Sequence, residues 1–234
     1  MIKEQDFETY LSISSSGYEI NLYDIKNSKS LYKQNYEFLN IDKSFDIKFL
    51  NNFLDENIFK IEKLIGKFIK NISLIIDIDE INTTYIGIKK KLYKERFNAG
   101  DFENILVEVK DIYKKNYQNE KIMHMLLSRL LIDNKEYFSL NEIKIRDQIC
   151  VEVEFKSISN KLIIELDEVF KKYQIKIIEY LDGNYIKKFT KNLNTDFYKL
   201  VYQIKNGLNE KEVKIITKKL GKVGIFEKFF QFFG

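Results

Sequence analysis

Ile122-Met123-His124-Met125-Leu126-Leu127-Ser128-Arg129-Leu130-Leu131-Ile132-Asp133 is the stretch on which the fold turns. Its apolar residues predict one long strand, and it carries the chain's only histidine. A single histidine without a partner makes neither a metal site nor a catalytic triad. On the amino-terminal side, Asp101 is placed to cap a helix running to about Tyr117, with Phe102, Ile105, Leu106, Val109, Ile112 and Tyr113 on one face. Before it, Ile72–Ile78 reads as a β-branched strand buried on both faces, followed by a strand over Asn82–Lys89. On the carboxyl side come a strand over Ile149–Ser157, a helix from Asn160 to Tyr173 and a strand over Ile175–Leu181.

Farther out, Glu8–Ile13 and Gly17–Asp24 read as a hairpin, because Tyr18, Ile20 and Leu22 alternate with polar neighbours. Leu31–Phe38 is a third strand. The longest helical pattern runs from Phe45 to Ile69, with Ser44 as N-cap and Phe45, Phe49, Phe53, Ile61, Leu64, Ile65 and Phe68 at helical spacing. Gly66 is read as an interior glycine costing roughly 1 kcal/mol. Thr195 or Asp196 caps a helix through Asn206, and Val213–Thr217 is a short strand. The order β-β-β-α-β followed by β-α-β-β-α-β predicts an α/β or mixed α+β chain whose second block is a small module.

The 234 residues suffice for one large domain or two small ones, and 44% apolar with 32% charged residues describes a folded, soluble chain. Nucleic-acid binding is not indicated, since no basic stripe with interleaved aromatics occurs in a charge-balanced body. Cys150 stands alone, which excludes an internal disulfide and a thiolate metal cluster. With no apolar leader and no spanning run, the expected place is cytoplasmic, with any membrane contact peripheral.

Two stretches bear on chemistry. Ser12-Ile13-Ser14-Ser15-Ser16-Gly17 offers either a tight hairpin turn or a phosphate-cradling nest. Asp77, Asp79 and Glu80 follow a buried strand, where magnesium ligands often lie, although a polar strand end explains them as well. Neither GxGxxG nor GxxxxGK[ST] occurs. No metal, no cofactor and no catalytic constellation is expected.

The last eleven residues are of another kind. On a helix at roughly 100° per residue, Ile225, Phe226, Phe229, Phe230, Phe232 and Phe233 share an arc of about 160°, opposite Glu227, Lys228 and Gln231. From Lys214 to Gly234 there are five lysines (Lys214, Lys218, Lys219, Lys222 and Lys228) and one glutamate. Taken from 39 basic and 35 acidic residues, they leave 34 of each, so the chain's net +4 resides in this tail. A basic approach and an aromatic face predict a helix lying on an anionic membrane surface. The membrane-contacting residues are Lys218, Lys219, Lys222, Ile225, Phe226, Lys228, Phe229, Phe230, Phe232 and Phe233.

The stretch from Ile122 to Asp133 resembles the bacterial cell-division protein family FtsA, whose corresponding strand reads roughly V-L-H-V-I-P-Q-E-Y-x-I-D. The histidine and terminal aspartate coincide, and Leu127 replaces the family's proline. Ile72–Ile76, Thr84–Lys89, the Asp101–Tyr117 helix, the strand from Val151 to Ser157, the Asn160–Tyr173 helix and the strand ending at Leu181 follow in the family's order. The resemblance covers about residues 8 to 185. It implies an actin-like first lobe (RNase H-like, residues 1–79), an inserted SHS2-type interaction module (80–182), a return helix, strand and basic linker (183–220) and an amphipathic membrane-targeting helix (221–234).

The departures carry implications too. The family's phosphate loop, similar to L-D-I-G-T-S-K, falls on Leu11 to Gly17, with Ser12 at the metal-linked aspartate and Ser14 at the glycine. The second phosphate loop, expected after about Leu181, is absent along with the second lobe, so the resemblance implies a lost ATP site. The implied function is that of a non-catalytic protein on the inner membrane, gathered at midcell. Its implied partners are division proteins, FtsZ or late divisome members, and further copies of itself. The alternatives are a peripheral membrane adaptor with no division role and, third, an ATPase using Ser12–Gly17 and the Asp77 cluster.

Overall fold

The structure is a computed structural model, and it describes residues 6–38, 46–91, 99–137, 148–190 and 195–214. The chain divides into two compact units. The first comprises the residues up to Asn82 and Ser157–Leu208, and the second comprises Thr83–Lys156 with the chain from Asn209 on.

In the first unit, β1 (Phe7–Ser14), β2 (Gly17–Asp24), β3 (Lys29–Glu37), β4 (Asn71–Asp77) and β9 (Lys176–Asp182) form one sheet in the order β3-β2-β1-β4-β9. The first three strands are an antiparallel meander, while β4 and β9 add in parallel to β1. Parallel neighbours need a crossover. That between β4 and β9 runs through the Thr83–Lys156 part of the second unit and then through α3 (Asn160–Lys171). The mixed α/β class expected from the sequence holds.

Helices cover both faces of that sheet, which is why β4 is buried along Ile72–Ile76. One face meets α1 (Ile47–Ile65), where Phe53 lies 5.9 Å from the Tyr18 ring. It also meets α3, where Asp167 accepts from the Tyr180 hydroxyl at 3.0 Å and Tyr173 of the following turn donates to Asp55 of α1 at 2.6 Å. Burial and the Asp167 carboxylate push the Tyr180 phenol well above its usual range. The other face takes α5 (Phe197–Lys205), whose Tyr198 ring lies 5.6 Å from that of Tyr10. Lys205 fixes this helix: its buried ammonium donates to Glu8 at 2.7 Å and Ser73 at 2.9 Å, and Glu179 is 3.6 Å away. A buried ammonium is tolerable only with such partners.

The second unit is a four-stranded sheet, β5-β8-β6-β7, with β5 (Asn82–Lys91), β6 (Glu120–Ile132), β7 (Lys135–Tyr137) and β8 (Gln148–Ser159). The helix α2 (Ala99–Asn116) packs Phe102, Ile105, Leu106, Val109 and Tyr113 against Ile149, Val151, Val153 and Phe155 of β8 and against Met125, Leu130 and Ile132 of β6. Tyr113 stacks on Phe155 at 4.4 Å between centroids. The face read from sequence is this one, except that Ile112 is 36% exposed.

Four expectations are corrected. The helix read as Phe45–Ile69 is Ile47–Ile65: Asp46 caps it by accepting from the Lys48 amide at 2.7 Å, and Gly66, at φ 68°, ends it as a left-handed C-cap. Ser44 and Phe45 lie outside the described residues. The boundary of the inserted module moves inward from 80–182 to Thr83–Lys156, because β9 pairs with β4 and α3 packs on α1 and β9, so both belong to the first sheet. A helix unseen in the sequence, α4 (Gly183–Thr190), follows β9. Of the strand expected over Val213–Thr217, Val213 and Lys214 form none, with Glu212 before them making an isolated bridge to Leu126, and residues 215–217 lie outside the described residues.

Candidate functional site

In a sheet of this build, ligands gather where the parallel strands end. There the first unit has a groove of about 280 Å³, lined by Ser14, Ser16, Gly17, Glu19, Tyr36, Glu37, Asp77, Gly183, Lys187 and Phe197 among others. Both stretches singled out for chemistry meet here, since Ser14 of β1 pairs in register with Asp77 of β4.

The serine run forms the tight turn joining β1 to β2. Its polar groups are turned on one another. The Ser16 amide donates to Ser14 Oγ at 3.3 Å, Ser14 Oγ donates to the Gly17 carbonyl at 3.1 Å, and the Ser15 amide donates to the Asp77 carbonyl at 3.3 Å. Gly17 has φ +153°, and a Cβ there would come within 2.0 Å of the Tyr36 carbonyl oxygen. The glycine therefore makes room for β3. Ser12 points to α5, 3.4 Å from the Tyr198 hydroxyl, which donates to Glu19 at 2.7 Å. Burial first, and Glu19 second, hold that phenol far above its ordinary range, so it stays a neutral donor.

Asp77 is ion-paired to Lys187 of α4. Gly183, the first residue of α4, is required by the same neighbour: a Cβ there would lie 2.8 Å from Asp77 Cβ. Asp182 spends one oxygen on the Asn184 amide at 2.8 Å. Asp79 and Glu80 are exposed, and among the described residues no three His, Cys, Asp or Glu side chains gather to hold a metal ion.

In the second unit, His124 has the partner that local sequence did not reveal. Its Nδ1 lies 2.8 Å from Glu212 Oε1, with both side chains almost fully buried. Around them the Leu127 amide donates to the Lys211 carbonyl and the Val213 amide to the Met125 carbonyl, each at 2.8 Å. Residues 211–213 thus run along β6 as an added rung, with Val213 in the unit's core. Nothing in residues 118–134 announces a partner 88 positions away. The ten tail residues expected to touch membrane, Lys218 to Phe233, lie outside the described residues. Among those described, no helix is long and apolar enough to cross a membrane.

No protein-family model matches the chain, and no curated protein does. Among solved structures, the chain is similar to the cytoplasmic domain of EpsL, an inner membrane component of the type II secretion system of Vibrio cholerae. The identity is 8% over 75% of this chain and 55% of that one, with a TM-score of 0.35. It is similar to the PilM–PilN type IV pilus biogenesis complex at 10% identity, covering 76% of this chain and 48% of that one, with a TM-score of 0.47. It is also similar to a Bacteroides thetaiotaomicron protein with an actin-like ATPase fold and unknown function, at 15% identity over 82% and 60% of the two chains and a TM-score of 0.33. The chain spans 48% to 60% of the length of these solved chains.

Proposed function

We propose that this chain is a non-catalytic adaptor of the FtsA type. It is held on the cytoplasmic face of the inner membrane by its C-terminal helix, and it links division proteins through its second unit. The observation that carries the non-catalytic part is the groove at the strand ends. A bound triphosphate needs free amides, a close-approach glycine and a metal-holding carboxylate. Here the Ser15 and Ser16 amides are engaged within the protein. The space above Gly17 is filled by Tyr36, and Asp77 is paired to Lys187. Glu19 and Glu37 add negative charge where phosphate would lie. These residues do not fit a nucleotide and its metal ion.

The membrane part rests on the tail's sequence. Six large apolar side chains at roughly 1.5–3 kcal/mol each set an upper limit that partial burial and chain ordering reduce steeply. What remains is the marginal grip of one acyl chain. Self-association, or a second membrane-bound partner, then makes attachment firm through effective concentration.

The buried His124–Glu212 pair and the core residue Val213 hold residues 212–213 beside β6, a few positions before the tail begins in sequence. Deleting Gly221–Gly234 should abolish sedimentation with anionic liposomes at low lipid concentration, and unchanged sedimentation there would sink the anchor. A fluorescent fusion of the full chain should gather at midcell; an even distribution along the membrane would leave an adaptor without a division role. Calorimetry with ATP and magnesium should show no heat of binding, and a saturable signal would restore the ATPase reading.

A further inference from the structure

The outward surface of the last turns of α1 and of the turn that follows it breaks the usual division between a buried apolar stripe and a polar exterior. Phe59 is 68% exposed, Leu64 54% and Phe68 80%. Single exposed apolar residues are ordinary, but three within ten positions make a patch. Lysines interleave with them: Lys60, Lys63 and Lys70 are exposed and Lys67 is half-exposed. At roughly 100° per residue, Phe59, Lys60, Lys63 and Leu64 share an arc of about 140°. Between Phe59 and Lys70 there are four lysines and one glutamate.

That glutamate is turned inward. Glu62 Oε1 accepts from the Ile69 amide at 3.0 Å, and its carbonyl accepts from the Gly66 and Lys67 amides. Ile69 is buried, and the Lys70 carbonyl accepts from the Lys176 amide at 2.8 Å. The turn that carries Phe68 is therefore tied down on both sides, and Phe68 is presented rather than loose. Basic residues in a last helical turn complement its dipole, which accounts for Lys63 but not for the aromatic groups beside it.

We infer that Phe59–Lys70 is a second membrane-contacting surface, in which Phe59, Leu64 and Phe68 enter the headgroup boundary of an anionic bilayer while Lys60, Lys63, Lys67 and Lys70 meet the lipid phosphates. The charge balance favours an anionic bilayer, and exposed apolar groups among ammoniums fit its interface. The inference takes its setting from the peripheral-membrane reading, but its contact is independent of the tail.

The chain has no tryptophan, so Phe68→Trp in the full chain creates a single selective fluorophore. Vesicles of phosphatidylglycerol with phosphatidylcholine should shift its emission to the blue, and brominated acyl chains should quench it, whereas phosphatidylcholine alone should do neither. Reversing Lys60, Lys63 and Lys67 to Glu should weaken binding to the anionic vesicles roughly tenfold or more. In the tail variant Phe229→Asp, Phe230→Asp, the shift at position 68 should persist at raised vesicle concentration. A protein that sediments with the vesicles while its tryptophan stays unshifted would overturn the inference and leave the tail anchor standing. Loss of the shift in the tail variant at every vesicle concentration would overturn it as well. A shift produced by lipid-free cell extract and not by vesicles would make the patch a protein-docking surface and overturn the lipid assignment.

Discussion

The two ends of the first unit's sheet carry grooves of similar size, about 280 Å³ where the parallel strands end and about 310 Å³ where they begin, and they differ in the large apolar side chains left exposed beside them. At the strand ends, hydroxyls, amides and carboxylates are matched within the protein, as Ser14 with Ser16 at 2.9 Å and Asp77 with Lys187. At the strand starts, Glu8, Thr9, Asn71 and Ser73 share the lining with Phe7, Ile25, Ile65, Ile178 and Phe68, with Lys67 and Lys70 beside them, and Phe68 is 80% exposed. Polar groups that satisfy one another make a surface with little left to offer a ligand, since only unmatched groups gain by binding. Apolar groups cannot be satisfied internally once exposed, and they keep their drive to be covered. On this contrast the strand-end groove is proposed to serve the fold, and the opposite end is proposed as the one left open to a surface.

The contrast breaks most sharply at Gly17. If that glycine serves the protein, Gly17→Ala should cost about 3 kcal/mol or more, because its Cβ would lie 2.0 Å from a β3 carbonyl oxygen at φ +153°. Urea unfolding measures this directly. A variant as stable as the parent would mean that the space is held for something other than Tyr36. Gly183→Ala should follow at about 1–3 kcal/mol, since its Cβ would lie 2.8 Å from Asp77 Cβ, an atom the backbone holds, and 3.3 Å from the Ile76 carbonyl oxygen.

At the other end, the turn after β2 supplies a test through acid. Asp24 accepts from the Asn27 side chain at 2.7 Å and from its amide at 2.9 Å. Those bonds, the side-chain one first, hold its carboxyl below the ordinary 3.8. A lowered folded pKa contributes stability that is present in full above the unfolded value and is lost as pH falls through the folded one. Asn27→Ala should therefore cost about 1 kcal/mol near neutrality. The gap between parent and variant should close as pH drops below 3.8. A gap that stays constant into acid would show that the Asp24 carboxylate is not involved.

How much of this was open to sequence reading depends on the range of each interaction. The hairpin, β4 and the Asp196 cap follow from periods and side chains a few residues apart, and they stand where the pattern puts them. The end of α1 was misread for a physical reason: Phe68 continues the helical spacing, yet Gly66 stops the helix and leaves Phe68 80% exposed. An apolar residue at core spacing reads as core even when it is surface. Assigning α3 and β9 to the inserted module was an error of distance, because β9 pairs with β4 across about a hundred intervening residues that no local period reports. The serine turn was legible as a turn or a nest; choosing between them needed Tyr36 and Asp77 at its back.

The smallest effect asked of the comparison is also the one that separates a surface from a core. Phe68→Ser removes a large aromatic side chain, which in a core would cost several kcal/mol. At 80% exposure it should alter unfolding stability by no more than about 0.5 kcal/mol in either direction. Lys187→Met at the opposite end should also change little, at most about 1 kcal/mol, because its ammonium is 56% exposed and the pair with Asp77 is screened. The two near-neutral variants differ in what else they move. Serine at position 68 removes apolar surface that water must cover, so salting-out with ammonium sulfate should require more salt than for the parent. Methionine at 187 should not raise that threshold. If Phe68→Ser instead destabilises the fold by 2 kcal/mol or so, Phe68 is covered in solution by another part of the protein. The strand-start groove would then be as internally satisfied as the groove at the strand ends, and the contrast between them would disappear.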